Sequence, residues 1–179
     1  HVALAALRQL GLDRQLEALG FNGPQRAAAI GTLIARMAAP GSELATFGWL
    51  QHHSALGELI DYDFLAMELK ALYRISDQLL KHKVALEGFL YAQERTLFDF
   101  EEVITLYDMT NTHFEGTCAK NPKAKRGKNK QKRNDCPQVV IGLVFDACGF
   151  PICHKVFEGT VYEAHSVVEM VTLLRELRA

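Results

Sequence analysis

The nine residues from Pro137 to Phe145, Pro-Gln-Val-Val-Ile-Gly-Leu-Val-Phe, limit the fold of this chain more than any other stretch. A run this apolar and this rich in β-branched side chains reads as a strand covered on both faces. Asp146-Ala-Cys-Gly149 then reads as a turn, and Phe150-Pro-Ile-Cys-His-Lys-Val-Phe157 as a returning partner strand that Gly159 ends. Upstream, Val103-Ile-Thr-Leu-Tyr107 is a short β-rich run, and Asp108 follows it immediately, at the expected strand end. Downstream, Glu163 to Arg178 carries Val167, Val168, Met170, Val171, Leu174 and Leu177 as a helical stripe. The order strand, long loop, strand, turn, strand, helix is the opening of a mixed α/β domain.

Residues 1–100 have the other period. Val2 to Leu19 is rich in Ala and Leu, with Gly20 as its stop. Asn22-Gly23-Pro24 reads as a turn and helix start, followed by a helix from Gln25 to Ala38. Pro40-Gly41 breaks the chain, Ser42 suits an N-cap for a short helix through Leu50, and Ser54 suits another through Ile60. Two further helices are expected, from about Phe64 to Arg74 and from Ser76 to Phe98. The chain is therefore expected to be α+β overall, with a helical region over 1–100 and an α/β part over 101–179.

At 179 residues, 49% apolar and 23% charged, the chain fits one globular domain, or one domain plus a helical appendage. Collagen-like, disordered and disulfide-scaffold classes fall on the same figures, and no apolar run is long enough for a membrane span. His1 in place of Met, and an apolar pattern still running at Ala179, are expected of a piece of a longer protein. Cys118, Cys136, Cys148 and Cys153 form no C-x-x-C pair, so reduced thiols are expected rather than a zinc knuckle.

The net charge of −1 conceals an uneven distribution. Eight of the twenty Lys and Arg residues fall between Lys120 and Arg133, with no acid among them. They are Lys120, Lys123, Lys125, Arg126, Lys128, Lys130, Lys132 and Arg133. The rest of the chain holds twelve bases against twenty-one acids, a net of −9. Asn, Gly and Pro interrupt the basic stretch, so it reads as a loop and not as an amphipathic helix. Either it is a solvated loop without a partner, or it neutralises phosphates. Lacking aromatic residues, it suits backbone contact better than base stacking. The segment Ser42 to Ile60 has the length of a helix-turn-helix, but Leu44 to Asp63 contains no Lys or Arg, and helix packing is the expected role.

Asp108 is the residue best placed for chemistry. A carboxylate at the rim of an α/β sheet suits a hard cation, and carboxylate-held divalent ions serve phosphoryl transfer. Capping a turn is the plainer alternative. Glu115 and His113 are candidates to support Asp108 from nearby.

Leu106 to Gly116, LYDMTNTHFEG, followed by Lys132 to Val161, KRNDCPQVVIGLVFDACGFPICHKVFEGTV, resembles the catalytic domain of DDE-type transposases of bacterial insertion sequences, the insertion-sequence-4-like superfamily. PGSELATFGWL and LYRISDQLLKHKVALEGFLYAQERTLF are similar to that group's helical leader. The resemblance implies a ribonuclease-H-like domain, begun over 101–179, with Asp108 as the first aspartate of an Asp-Asp-Glu metal triad. It implies Mg²⁺ or Mn²⁺ as cofactor for the complete domain, DNA as partner (transposon ends and target), a homodimer in the full-length protein, and a place in the bacterial cytoplasm at the nucleoid. The second aspartate and the glutamate are not matched here, because Asp135 and Asp146 fall in a loop and a turn. A truncated chain without catalytic activity is therefore expected. A non-catalytic DNA-binding or subunit-interaction module is the alternative.

Overall fold

A computed structural model describes residues 1–97, 106–128 and 133–178. The chain divides into two compact units, His1–Glu94 and Arg95–Ala179. Helices come first and a small antiparallel sheet follows, so the chain is α+β. Among the described residues no helix is long and apolar enough to cross a membrane.

The first unit is built from α1 (Val2–Gln9), α2 (Leu12–Ala18), α3 (Gly23–Ala38), α4 (Glu43–His52), α5 (Leu56–Ile60), α6 (Leu69–Lys81) and most of α7 (Lys83–Leu97), with a single 3₁₀ turn at Phe64–Ala66. The one helix expected from Val2 to Leu19 is two. Gly11 adopts φ 72°, a left-handed conformation that costs glycine least, and the helix axis turns there. Asn22 caps α3 through a full capping box: its side chain accepts from the Gln25 amide at 3.0 Å, and Gln25 accepts from the Asn22 amide at 2.9 Å. Ser42 caps α4 as expected, accepting from the Ala45 amide at 3.2 Å. Ser54 instead stands one residue outside the N-cap of α5 and accepts from the Leu56 amide at 3.0 Å.

The expected break near Ile75 is absent. Leu72 and Ile75 are both fully buried on one face of α6, so packing carries the helix through to Lys81 and the interruption falls at His82. The core joins Leu16, Ala29, Ile34, Leu50, Phe64, Leu72 and Ile75. Spacings of three and four residues, as in Leu4–Leu7, Leu12–Leu16, Ile30–Ile34 and Leu72–Ile75, set buried side chains along single helix faces.

The second unit contains β1 (Leu106–His113), β2 (Gln138–Phe145), β3 (Pro151–Glu158) and α8 (Glu163–Arg178). The strands form an antiparallel meander in the order β1-β2-β3. Asp146 makes the tight turn between β2 and β3, its carboxylate accepting from the Cys148 amide at 2.9 Å and the Phe150 amide at 2.8 Å, with Gly149 at φ 87°. Helix α8 packs on one face of the sheet. Its fully buried Ser166 lies 2.7 Å from the Tyr107 hydroxyl and also donates to the Glu163 carbonyl at 2.7 Å. Burial pushes the Tyr107 phenol above its ordinary pKa. Lys155 of β3 pairs with Glu169 of α8 at 2.7 Å on the same face.

The expected first strand is displaced. Val103 to Thr105 lie outside the described residues, and β1 continues well past Tyr107 to His113. The segment Tyr107-Asp-Met-Thr-Asn-Thr-His113 alternates between the α8 face and the opposite face. That alternation, rather than continuous apolarity, makes it a strand. Phe98 likewise lies outside the described residues.

Candidate nucleic-acid interface and metal site

Asp108 is the third residue of β1, not its last. Tyr107 and Met109 meet Ser166 of α8, so strand alternation turns Asp108 to the opposite face, where it is exposed. Its Oδ1 accepts from the Met109 amide at 2.8 Å. Across the sheet its register partners are Leu143 and then His154. Strand β1 is an edge of the sheet among the described residues, so Asp108 combines an open face with an open edge.

Neither expected supporter joins it. His113 sits five residues along the strand, roughly 16 Å away, on the α8 face, with a buried Nε2 that has no hydrogen-bond partner among the described residues. Glu115 binds Arg133 at 3.3 Å. Among the described residues no three His, Cys, Asp or Glu side chains gather to hold a metal. A two-ion centre therefore does not fit the described set: Asp108 offers one oxygen-donating ligand where such a centre needs several.

The basic stretch is built, for most of its described length, against one end of the sheet. Phe114 closes the β1 end by donating its amide to the Pro137 carbonyl at 2.9 Å. A tight turn follows, with the Asn121 amide on the Cys118 carbonyl at 2.8 Å and the Asn121 side chain accepting from the Lys123 amide at 3.0 Å. Lys125 then pairs with Gln138 in both directions, at 3.0 and 2.9 Å, as an added bridge beside β2. The Gly159 amide donates to the Lys123 carbonyl at 3.0 Å.

At the centre of this junction lies the Gln138 side chain, fully buried. Its Nε2 donates to the Gly159 carbonyl at 2.7 Å and reaches the Lys128 carbonyl at 3.4 Å, while its Oε1 has no partner among the described residues. The approach is close enough to require glycine. A Cβ on Gly127 would overlap the Gly159 carbonyl and stand 2.9 Å from Gln138 Nε2; one on Gly159 would overlap the Gln138 and Lys125 carbonyls.

The eight bases therefore differ in role. Lys123 donates its ammonium to the Val156 carbonyl of β3 at 2.6 Å. Arg133 binds both oxygens of Asp135, at 2.8 Å each, as well as Glu115. These hydrogen bonds raise the Arg133 pKa further and hold the Asp135 carboxyl down at about 2. Lys120, Lys125, Arg126 and Lys128 are exposed on the turn and the bridge. Lys130 and Lys132 lie outside the described residues. Cys118, Cys136, Cys148 and Cys153 form no disulfide.

Charge counting found this loop but not its anchor. A glutamine at the mouth of an apolar strand carries no periodic signal, and Gly159 read as a strand terminator. The partner glycine, Gly127, was the available clue, since it is the one residue inside the basic stretch that leaves room for close backbone approach.

Comparison with models of protein families, with curated proteins and with solved structures finds no match to this chain.

Proposed function

We propose that this chain acts in DNA transposition as part of a DDE-type transposase, with Asp108 as the first metal carboxylate and the basic loop as a DNA contact. The observation that carries the reading is the placement of Asp108: exposed on the first strand of an antiparallel meander, on the face away from the helix that follows the third strand. A ribonuclease-H-like domain opens with that order. Lys123 of the basic loop reaches the Val156 carbonyl of β3 and Lys125 bridges to Gln138 of β2, which leaves the outer edge of β1 as the place for a further strand. A carboxylate from such a strand would arrive beside Asp108.

In a complete domain, carboxylates from elsewhere would join Asp108 to hold the ions, which would supply activation of a hydroxyl and stabilisation of the leaving oxygen. This chain's own residues have narrower tasks. Asp108 offers a hard oxygen ligand, and the loop bases hold a phosphate backbone. The described residues gather no group of three metal-ligating side chains, so the reading includes no DNA cleavage by this chain alone. DNA is the partner, with a second copy of the chain in the assembled complex.

Paramagnetic broadening by Mn²⁺ tests the carboxylate. Amide signals around Asp108 and Met109 are expected to broaden first, more strongly with DNA present because phosphate oxygens complete the coordination. Asp108→Asn is expected to abolish the focus. Broadening centred elsewhere in the wild-type protein would remove Asp108 from the metal site, and Mg²⁺-dependent nicking by the purified chain would overturn the claim of inactivity.

The second reading is a DNA-binding or subunit-interaction module without chemistry. The absence, among the described residues, of any group of three metal-ligating side chains favours it. Mn²⁺ broadening that survives Asp108→Asn, together with intact DNA affinity, would select it.

A further inference from the structure

We infer that Gln138 is a positioning residue for DNA binding: its buried amide fixes the first half of the basic loop against the end of the sheet, so that Lys125, Arg126 and Lys128 meet the phosphate backbone of double-stranded DNA in a preset shape. The inference rests on the DNA-contact reading of the loop and adds to it a mechanism of pre-organisation.

Three observations carry it. The Gln138 side chain is completely buried, yet it spends its donor group on the backbone carbonyls of Gly159 and Lys128 and, among the described residues, leaves Oε1 without a partner. Filling space alone would call for an apolar side chain, since a buried unpaired acceptor is destabilising. The two glycines that allow the approach, Gly127 and Gly159, stand on the two segments that the amide joins. Finally, the segment so held runs between Lys125, bridged to the Gln138 backbone, and Lys128, bonded by the Gln138 side chain.

The charge partition follows from the same geometry. Lys123 and Arg133 spend their charged groups on the protein itself, while Lys125, Arg126 and Lys128 are exposed on the anchored segment. A flexible loop loses affinity to the ordering of each long side chain and its backbone; a loop ordered beforehand avoids that cost.

The test uses the whole chain, a short DNA duplex and two readouts, fluorescence anisotropy over a range of salt concentrations and mapped trypsin cleavage. Gln138→Met keeps the volume and removes the amide. It is expected to speed cleavage after Lys125, Arg126 and Lys128, and to weaken DNA binding about tenfold without changing the salt slope, because no charge is removed. Gln138→Glu adds a readout that simple packing does not move. An ionised carboxylate repels the Gly159 carbonyl, whereas a protonated one donates to it. The affinity of this variant, relative to wild type, is therefore expected to recover as pH falls from about 8 to 5.

Replacing Lys125, Arg126 and Lys128 together by Gln is expected to flatten the salt slope by up to about 0.9 for each phosphate no longer neutralised, and Lys123→Gln with Arg133→Gln to leave it nearly unchanged. Wild-type cleavage and affinity in Gln138→Met, or a pH-independent ratio for Gln138→Glu, would overturn the role of Gln138. Salt-independent binding by the wild-type chain, or a slope unmoved by the triple replacement, would overturn the DNA reading and this inference with it, even if trypsin still reported the anchor.

Discussion

In the helical unit the largest fully buried side chains are Leu16, Leu72 and Ile75; in the sheet unit they are Gln138 and Ser166. The helical unit closes around hydrocarbon, whose attraction is non-directional and spread over many neighbours. The sheet unit, with three strands and one helix, places hydrogen-bonding groups at its most enclosed points and uses their direction. Ser166 ties α8 to Tyr107 of the first strand, and Gln138 ties the basic loop to the strand ends. Burial alone thus says little about what a position does. In one unit the most enclosed side chains give cohesion, and in the other they also join one segment to another.

The helical unit offers the largest effect by which this contrast can be broken. Leu72→Ala removes a side chain with no exposure and is expected to cost about 2–5 kcal/mol, read from urea unfolding followed by a probe in the helical unit. A cost below about 1 kcal/mol would mean that this core collapses around the gap and is not tightly packed. The corresponding change in the sheet unit, Ser166→Ala, is expected to cost about 1–2 kcal/mol. Its more specific sign is a change in the environment of the Tyr107 phenol, which loses its 2.7 Å partner, measured by ultraviolet titration. An unaltered phenol titration would mean that Ser166 serves only as a small side chain.

The smallest effect is expected at the surface pair Arg133–Asp135. The Asp135 carboxyl is held at about 2 by hydrogen bonds from Arg133, below its unfolded value of about 4. A lowered carboxyl pKa stabilises the fold above the unfolded value, and that contribution disappears as pH falls from about 4 to 2. Carbon-detected titration of the Asp135 carboxyl should show the low midpoint, and Arg133→Gln should return it toward the ordinary range. A midpoint near 4 in the wild-type protein would detach Arg133 from this pair and restore it to the bases available for phosphate.

Periodicity disclosed most of the helical unit because each apolar stripe there states a face to be buried. It failed at Gly11, where a single residue in a left-handed conformation splits an otherwise unbroken Ala- and Leu-rich run, and near Ile75, where two buried residues carry α6 through an expected break. In the sheet unit the turn at Asp146 and the span Glu163–Arg178 were legible from turn chemistry and an apolar stripe. The extent of β1 was not, since Asp108, Thr110 and Thr112 alternate with inward residues instead of forming an apolar run. The loop was legible as charge and silent as structure: nothing in the order of its residues separates Lys123, bound to a β3 carbonyl, from Lys125 two positions on. Gln138, enclosed among apolar neighbours, had no pattern to reveal it.

The two margins of the sheet are unlike each other. Along β3, Pro151 lacks an amide hydrogen, and the ammonium of Lys123 already occupies the Val156 carbonyl. Along β1, among the described residues, no strand lies outside Asp108, Thr110 and Thr112, and a single negative charge is the main deterrent. Growth of this sheet is consequently one-directional, and whatever strand comes to lie there, from this polypeptide or from a neighbouring molecule, must tolerate a carboxylate at its flank.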